Sequence, residues 1–587
     1  MSIFGKGRGI TPAGPEVGRA YKELEDRAKL QGIDSVEHEA WELLKRCHQL
    51  LVFGDESVAQ PLFYVARLSF AIEATHRQWL AATSAAMAFS SAVRSIDLQC
   101  ERGRVPFPAE LRPGIQKMID LSAYAAHRSG VPLAACILAE SLTNQMFRDR
   151  TIARELSAIN RRQDTIGELR RIHRTLQRMT RGVAKTGAAT PAGEFRQSVD
   201  NMFLDDLKAG AALSSEAYVL TAAGPVHAVH GASATARSVI YLVPGPYAGA
   251  AIRLEAPETG RSLCESVELP GLSLKAVQTQ AGTVRDVLRG ELLVKRKTEA
   301  VQEALDKVTE TVWDPILAAW PSLKGRKVAL VPLGECASLP LYTALIDGAP
   351  ACATMDLTVV PSGDALMLAG LWPVPGDGTA FVAADPWFGD DEIALTVREA
   401  QQIAAVREVR PRILRWPSGT GPDVSERLRG VHEFLELSEA IPDGDMVREL
   451  AEAEVVHLAC HGDLDPNDPL RSALLLGWPL RLSALLTQDL KPGAIVVLSA
   501  CHLASIGTEF AAEQLGFPAA LLAMGARSVV SALWPVPDSD ATVELMTELH
   551  RDLGHHPPSV ALGRAIGRAC ADGVRPYVWA PFVHFGA

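Results

Sequence analysis

From residue 327 onward, six short apolar runs recur, each a few residues long and each set off by polar or helical sequence: KVALVPL, LTVVPS, TAFVAAD, EVVHLAC, AIVVLSA and SVVSALW. Between them lie segments of helical periodicity such as TVREAQQIAAV and DATVELMTELHRDL. Continuous apolar runs of that length, rich in Val, Ile and Ala and alternating with helices, describe strands covered on both faces in a mostly parallel sheet. That pattern constrains the fold more than any other feature of the chain.

At 587 residues the chain exceeds one hydrophobic core, so two or three domains are expected. Residues 16–182 have a different texture, with apolar positions at helical spacing and Ala-rich stretches such as RQWLAATSAAMAFSSAVRSIDL. They read as an all-α domain of helical hairpins, repeat-like but without an assignable 34-residue period. In its last helix, Ile152, Leu156, Ile159, Ile166, Leu169, Ile172, Leu176 and Met179 form one face, and seven arginines lie between them. A solvated basic face is the ordinary reading of that helix, and a nucleic-acid contact the sharper one. Residues 1–15 read as a flexible N-terminus and 183–195 as a Gly, Ala and Pro-rich linker. In the strand region that follows, PGPYAG supplies turn chemistry between two apolar runs, as in a hairpin.

A formal net charge of −11 argues against general affinity for nucleic acid or anionic membrane. No apolar stretch reaches the roughly 18 residues of a membrane span, and the N-terminus lacks a signal peptide's apolar region, so a cytoplasmic location without membrane insertion is expected. The nine cysteines occur singly with no CxxC, which fits free thiols and disfavours a disulfide framework or structural zinc. GKGRG at residues 5–9 follows no strand and lacks a Ser or Thr after its lysine, so no nucleotide site is read there. Neither a metal nor a cofactor is expected. The aspartates 463, 465 and 468 lack the terminal glutamate of an EF-hand and read as a polar turn.

Two runs end on reactive side chains: EVVHLAC leads into His461-Gly462, and AIVVLSA leads into Cys501. If both strands are parallel members of one sheet, imidazole and thiol emerge at the same edge, where open α/β sheets bind ligands. A thiol near its ordinary pKa is mostly protonated at neutral pH and needs a neighbouring base, a role suited to imidazole. The backbone N–H groups of Gly462 and Cys501 are the candidate oxyanion donors. His457 and Cys460, inside the strand, read as structural, and His502 as a packing or solvent-facing residue.

The segments VVHLACHGDLDPNDPLRSALLLG, LSAC, LGFPAALLAMGARSVVSALWPVPDSDAT and PYVWAPFVHFG together resemble the CHAT domain, a caspase-like peptidase family related to caspases and separases. LVPLGECASLPLYTAL and SVIYLVPGPYAGAAIRL resemble its front part, so the likeness spans about 200–587. It implies an α/β fold, a caspase-like sheet with flanking helices over residues 196–587, with a front subdomain at about 200–320 and a catalytic part at about 325–587. It also implies a cysteine endopeptidase using His461 and Cys501. After the cysteine this chain has His502-Leu503-Ala504 where the family pattern has Glu or Gln before Thr-Gly.

Family members carry helical N-terminal regions that sense a partner, and bacterial ones sit in defence systems with gasdermins or nucleic-acid-guided effectors. By resemblance, then, residues 16–182 are a docking module, the activator is a protein or such an effector, and the substrate is a protein, a gasdermin-like one among the candidates. Separases, which cut after arginine, use acidic residues after a W-x-V motif. In WPVPDSD, Asp538 and Asp540 stand at the similar place, although Asp538 also suits capping of the helix DATVELMTELH. The rival expectation is a scaffold on the same fold that binds partners without cutting.

Overall fold

The computed structural model describes residues 13–52, 55–103, 111–130, 132–142, 237–255, 263–289, 294–374, 378–385, 387–388, 391–392, 395–414, 444–463, 472–476, 479–485, 489–500 and 516–587. The segment GKGRG, the arginine-rich helix at 152–181, the linker at 183–195, and residues 465, 468, 501 and 502 lie outside them. The chain divides into two compact units, one comprising Met1–Thr143, Ile159–His227 and Pro257–Ser266 and the other the remainder.

The N-terminal unit is helical, as its periodicity requires: α1 (Gly14–Gln31), α2 (Glu37–Val52), α3 (Ala59–Thr75), α4 (Trp79–Gly103), α5 (Arg112–Arg128) and α6 (Pro132–Leu142). Sequential neighbours from α2 to α6 pack on one another. Phe63 and Phe89 meet at 4.7 Å between ring centroids at the centre of the α3–α4 pair. The Asp55 carboxylate accepts the N–H groups of Ala13, at 2.8 Å, and Ser57, at 3.1 Å, fixing the start of α1 against the turn before α3.

The second unit is built on a 13-stranded sheet. Its strands are β1 (Ser238–Val243), β2 (Gly249–Glu255), β3 (Leu263–Leu269), β4 (Lys327–Pro332), β5 (Asp356–Val359), β6 (Ala380–Ala384), β7 (Arg412–Ile413), β8 (Val455–Asp463), β9 (Ala473–Leu475), β10 (Pro479–Arg481), β11 (Ile495–Ala500), β12 (Ser528–Ala532) and β13 (Phe582–Gly586). All six apolar runs are strands. Between them lie α7 (Leu274–Arg289), α8 (Val294–Val308), α9 (Leu395–Val406), α10 (Gly444–Glu452), α11 (Phe517–Met524), α12 (Asp540–Asp552) and α13 (Pro558–Ala571). The strand order is β7-β6-β8-β11-β12-β13-β5-β4-β1-β2-β3, and β9 and β10 extend from the end of β8. The PGPYAG turn joins β1 to β2 as an antiparallel hairpin, with Val243 opposite Ala250.

The expected parallel sheet is in fact two parallel blocks of opposite direction. Strands β7, β6, β8, β11 and β12 run together, and β13, β5, β4 and β1 run together. They join through the antiparallel pair β12–β13. The carboxyl ends of β6, β8, β11 and β12 therefore share one sheet edge, and those of the other block lie at the opposite edge. Gly525 makes the turn into β12 with φ +118°, a left-handed C-cap that a side chain would strain.

His584, on β13, is wholly buried, and its Nδ1 lies 2.8 Å from the Thr358 hydroxyl on β5. Burial, reinforced by the Arg237 and Arg527 charges, pulls its pKa down to about 3. The unfolded chain would protonate this ring near its ordinary 6.5 while the folded one would not. The residue's contribution is therefore complete above pH 6.5 and lost as pH falls toward 3, with a slope of up to about 1.4 kcal/mol per pH unit. Urea midpoints should fall from pH 7 to pH 4, and His584→Gln should make that fall shallower, leaving the part due to buried His550.

Candidate active site

The site is set by how β8 and β11 pair. They are parallel neighbours in register from Val455↔Ile495 to Cys460↔Ala500, every pair forty positions apart in sequence. Beyond its last pair with β11, β8 continues through His461, Gly462 and Asp463, because β9 pairs with it antiparallel, His461 opposite Leu475 and Gly462 opposite Leu474. The apolar run ending at Cys460 understates the strand by these three residues, whose pairing partner is not apparent in the run itself.

Side chains alternate along a strand, so Val455, His457, Ala459 and His461 share one face. That face carries α9 and α12, since His457 touches Glu399 of the first and His550 of the second. His461 is half-buried at the end of this row. Toward the ends of β8 and β11 is a cavity of about 30 Å³ walled by Thr396 and Glu399 of α9, Cys460 and Ser499 of the strands, and Asp538 and Thr542, with His461 outside its lining. The cavity has room for about one water, and its place at the strand ends is where open α/β sheets bind ligands.

Asp538 and Asp540 sit at this edge in different roles. The Asp538 carboxylate is in the cavity wall and accepts the backbone N–H of Leu395 at 3.2 Å, at the first turn of α9. Capping of α12, the alternative weighed for Asp538, belongs instead to Ser539, whose hydroxyl accepts the Thr542 N–H at 3.2 Å. Ser539 has the extended backbone an N-cap needs, which leaves Asp538 one residue too early. Asp540 pairs with Arg398 of α9, and its side chain is 75% exposed.

Most of the described cysteines are core thiols. Cys47, Cys136, Cys336, Cys352 and Cys460 are buried. Burial pushes the thiols of Cys136, Cys352, Cys264 and Cys570 up, away from reactivity.

His457 is structural in a stronger sense than its place in an apolar run suggests. Its Nε2 lies 2.9 Å from Glu399 Oε1 and its Nδ1 3.1 Å from His550 Nε2, and His550 Nδ1 accepts from Arg407 Nε at 3.3 Å. The three residues Glu399, His457 and His550 are at most 3% exposed. A buried imidazole must have partners, so the sequence signals that some exist. It does not say which, since they lie 58 and 93 positions away.

Residues 302–587 match the family model of the CHAT domain. None of the curated proteins matches the chain. Among solved structures, the Saccharomyces cerevisiae separase–securin complex is similar at a TM-score of 0.44 and 11% identity, over 98% of this chain and 54% of that one. The chain thus spans about half the length of that relative, and the likeness is too slight to carry a conclusion about activity or partners.

Proposed function

We propose that the chain, whose residues 302–587 match the CHAT domain model, is a regulated cysteine endopeptidase in which His461 and Cys501 form the catalytic pair. The observation that carries this reading is the constant forty-residue offset of the β8–β11 register. In this reading the offset holds for one residue more, so that Cys501, following the end of β11, stands level with His461. In this mechanism His461 takes the Cys501 proton, and the sulfur attacks the peptide carbonyl. The C–N bond then breaks as His461 returns the proton to the departing amine, and water hydrolyses the thioester. The N–H groups of Gly462 and Cys501 hold the oxyanion. The helical region 16–182 docks the activating partner, and the substrate is a protein, as regulation in bacterial defence would require.

Incubating the full chain with a peptide library and sequencing the products tests the proposal; cleavage retained by Cys501→Ala would refute it. For specificity, the reading favours Asp538 over Asp540, because the first lines the cavity and the second does not. A basic P1 residue would gain a counter-charge there. Asp538→Asn should lower cleavage after arginine relative to leucine by about two- to fivefold, the size of an exposed charge pair. An unchanged arginine-to-leucine ratio would remove Asp538 from the pocket.

A further inference from the structure

Behind the site, three buried groups and the half-buried Arg407 form a chain whose hydrogen positions its ends dictate. Arg407 can only donate, so the Nε–H it gives at 3.3 Å makes His550 Nδ1 an acceptor. A neutral His550 then carries its hydrogen on Nε2, which points at His457 Nδ1 at 3.1 Å. His457 in turn carries its hydrogen on Nε2, 2.9 Å from Oε1 of Glu399, and a carboxylate only accepts. Every contact is then satisfied in one direction, from a guanidinium to a carboxylate through two neutral rings. Burial, with the Arg407 charge beside it, holds the His550 pKa well below its ordinary value, in keeping with a neutral ring.

The chain ties together the parts that shape the candidate site. Arg407 follows the last residue of α9, Glu399 lies in the middle of α9, His550 is on α12, and His457 is on β8, four residues before His461 and on the same face. A second polar contact, Thr547 Oγ1 to Gln402 Oε1 at 3.0 Å, joins the same two helices. Glu399 also stands in the cavity wall beside Cys460 and Ser499. We propose that Glu399 and His457 are positioning residues, which hold the α9 wall of the cavity in place beside His461 through a one-way hydrogen-bond chain. The proposal rests on the protease reading above.

Two measurements on the full chain test it. The first does not depend on proteolysis: long-range ¹H–¹⁵N spectra of ¹⁵N-histidine-labelled protein at pH 7, with His457→Gln and His550→Gln for assignment. Both rings should be neutral with the hydrogen on Nε2; a hydrogen on either Nδ1 overturns the chain. The second is the rate at which an acyloxymethyl ketone with P1 arginine labels Cys501, measured where circular dichroism shows each variant folded. Glu399→Leu should slow labelling at least about tenfold, while Glu399→Gln, whose carbonyl can still accept from His457, stays within about threefold of wild type. Rescue by glutamine is an outcome that a general loss of stability would not produce. Wild-type labelling by Glu399→Leu overturns the positioning role alone. If wild type gives no adduct that depends on His461, the protease reading falls and takes the positioning role with it, while the spectra still decide the chain.

Discussion

Replacing His461 by alanine should slow peptide cleavage by about 10²–10⁴-fold, the usual contribution of a positioned general acid–base. Without the imidazole, a thiol near its ordinary pKa is only a few per cent thiolate at neutral pH, and the departing amine has no proton donor. Cys501→Ala should remove cleavage altogether, because of the seven cysteines whose side chains are described five are buried, and burial raises the pKa of both half-buried ones. Rates for the two variants on one peptide, with wild type as reference, check the prediction. The double variant should be no slower than Cys501→Ala, since residues acting as a unit are not additive.

Trp313→Ala should be the most destabilising single truncation in the second unit. The ring is fully buried in the wide turn Thr309–Trp313 that follows α8, and its N–H donates to the Leu341 carbonyl at 2.9 Å. Removing a buried tryptophan costs about 3–5 kcal/mol through lost transfer energy and the cavity left behind. Stranding the Leu341 carbonyl adds to this, roughly 1–3 kcal/mol if it finds no other donor. Against a typical stability of about 5–15 kcal/mol, that is a large share. Trp313→Phe fills more of the space but still loses the hydrogen bond, so its urea midpoint should fall between those of wild type and Trp313→Ala. Equal midpoints for wild type and Trp313→Ala would contradict this account of the core.

Much of the sheet could be read from sequence because its strands are buried on both faces. KVALVPL or AIVVLSA carries its own evidence as a continuous apolar run, and helices with clear periodicity separate such runs. The direction of each strand carries no such signal. That β13 returns antiparallel to β12 and splits the sheet into opposed blocks depends on the path after α13, which apolarity does not encode. The same limit applies at the site. The place of His461 at the carboxyl end of β8 was legible because an apolar run leads into it. The shift of Asp538 from α12 to α9 involves a partner 143 positions away. The Arg407–His550–His457–Glu399 chain likewise joins residues that only the packing of α9 and α12 on β8 brings together.

The central claim is that His461 and Cys501 act as a pair at the carboxyl edge of β8 and β11. The most direct measurement is intact mass and peptide mapping of the full chain after reaction with the P1-arginine acyloxymethyl ketone, for wild type and His461→Ala. The account predicts one adduct per wild-type chain, mapped to Cys501, and little or none in His461→Ala. An adduct on Cys460 or another thiol, or one on Cys501 that forms equally fast without His461, would contradict it.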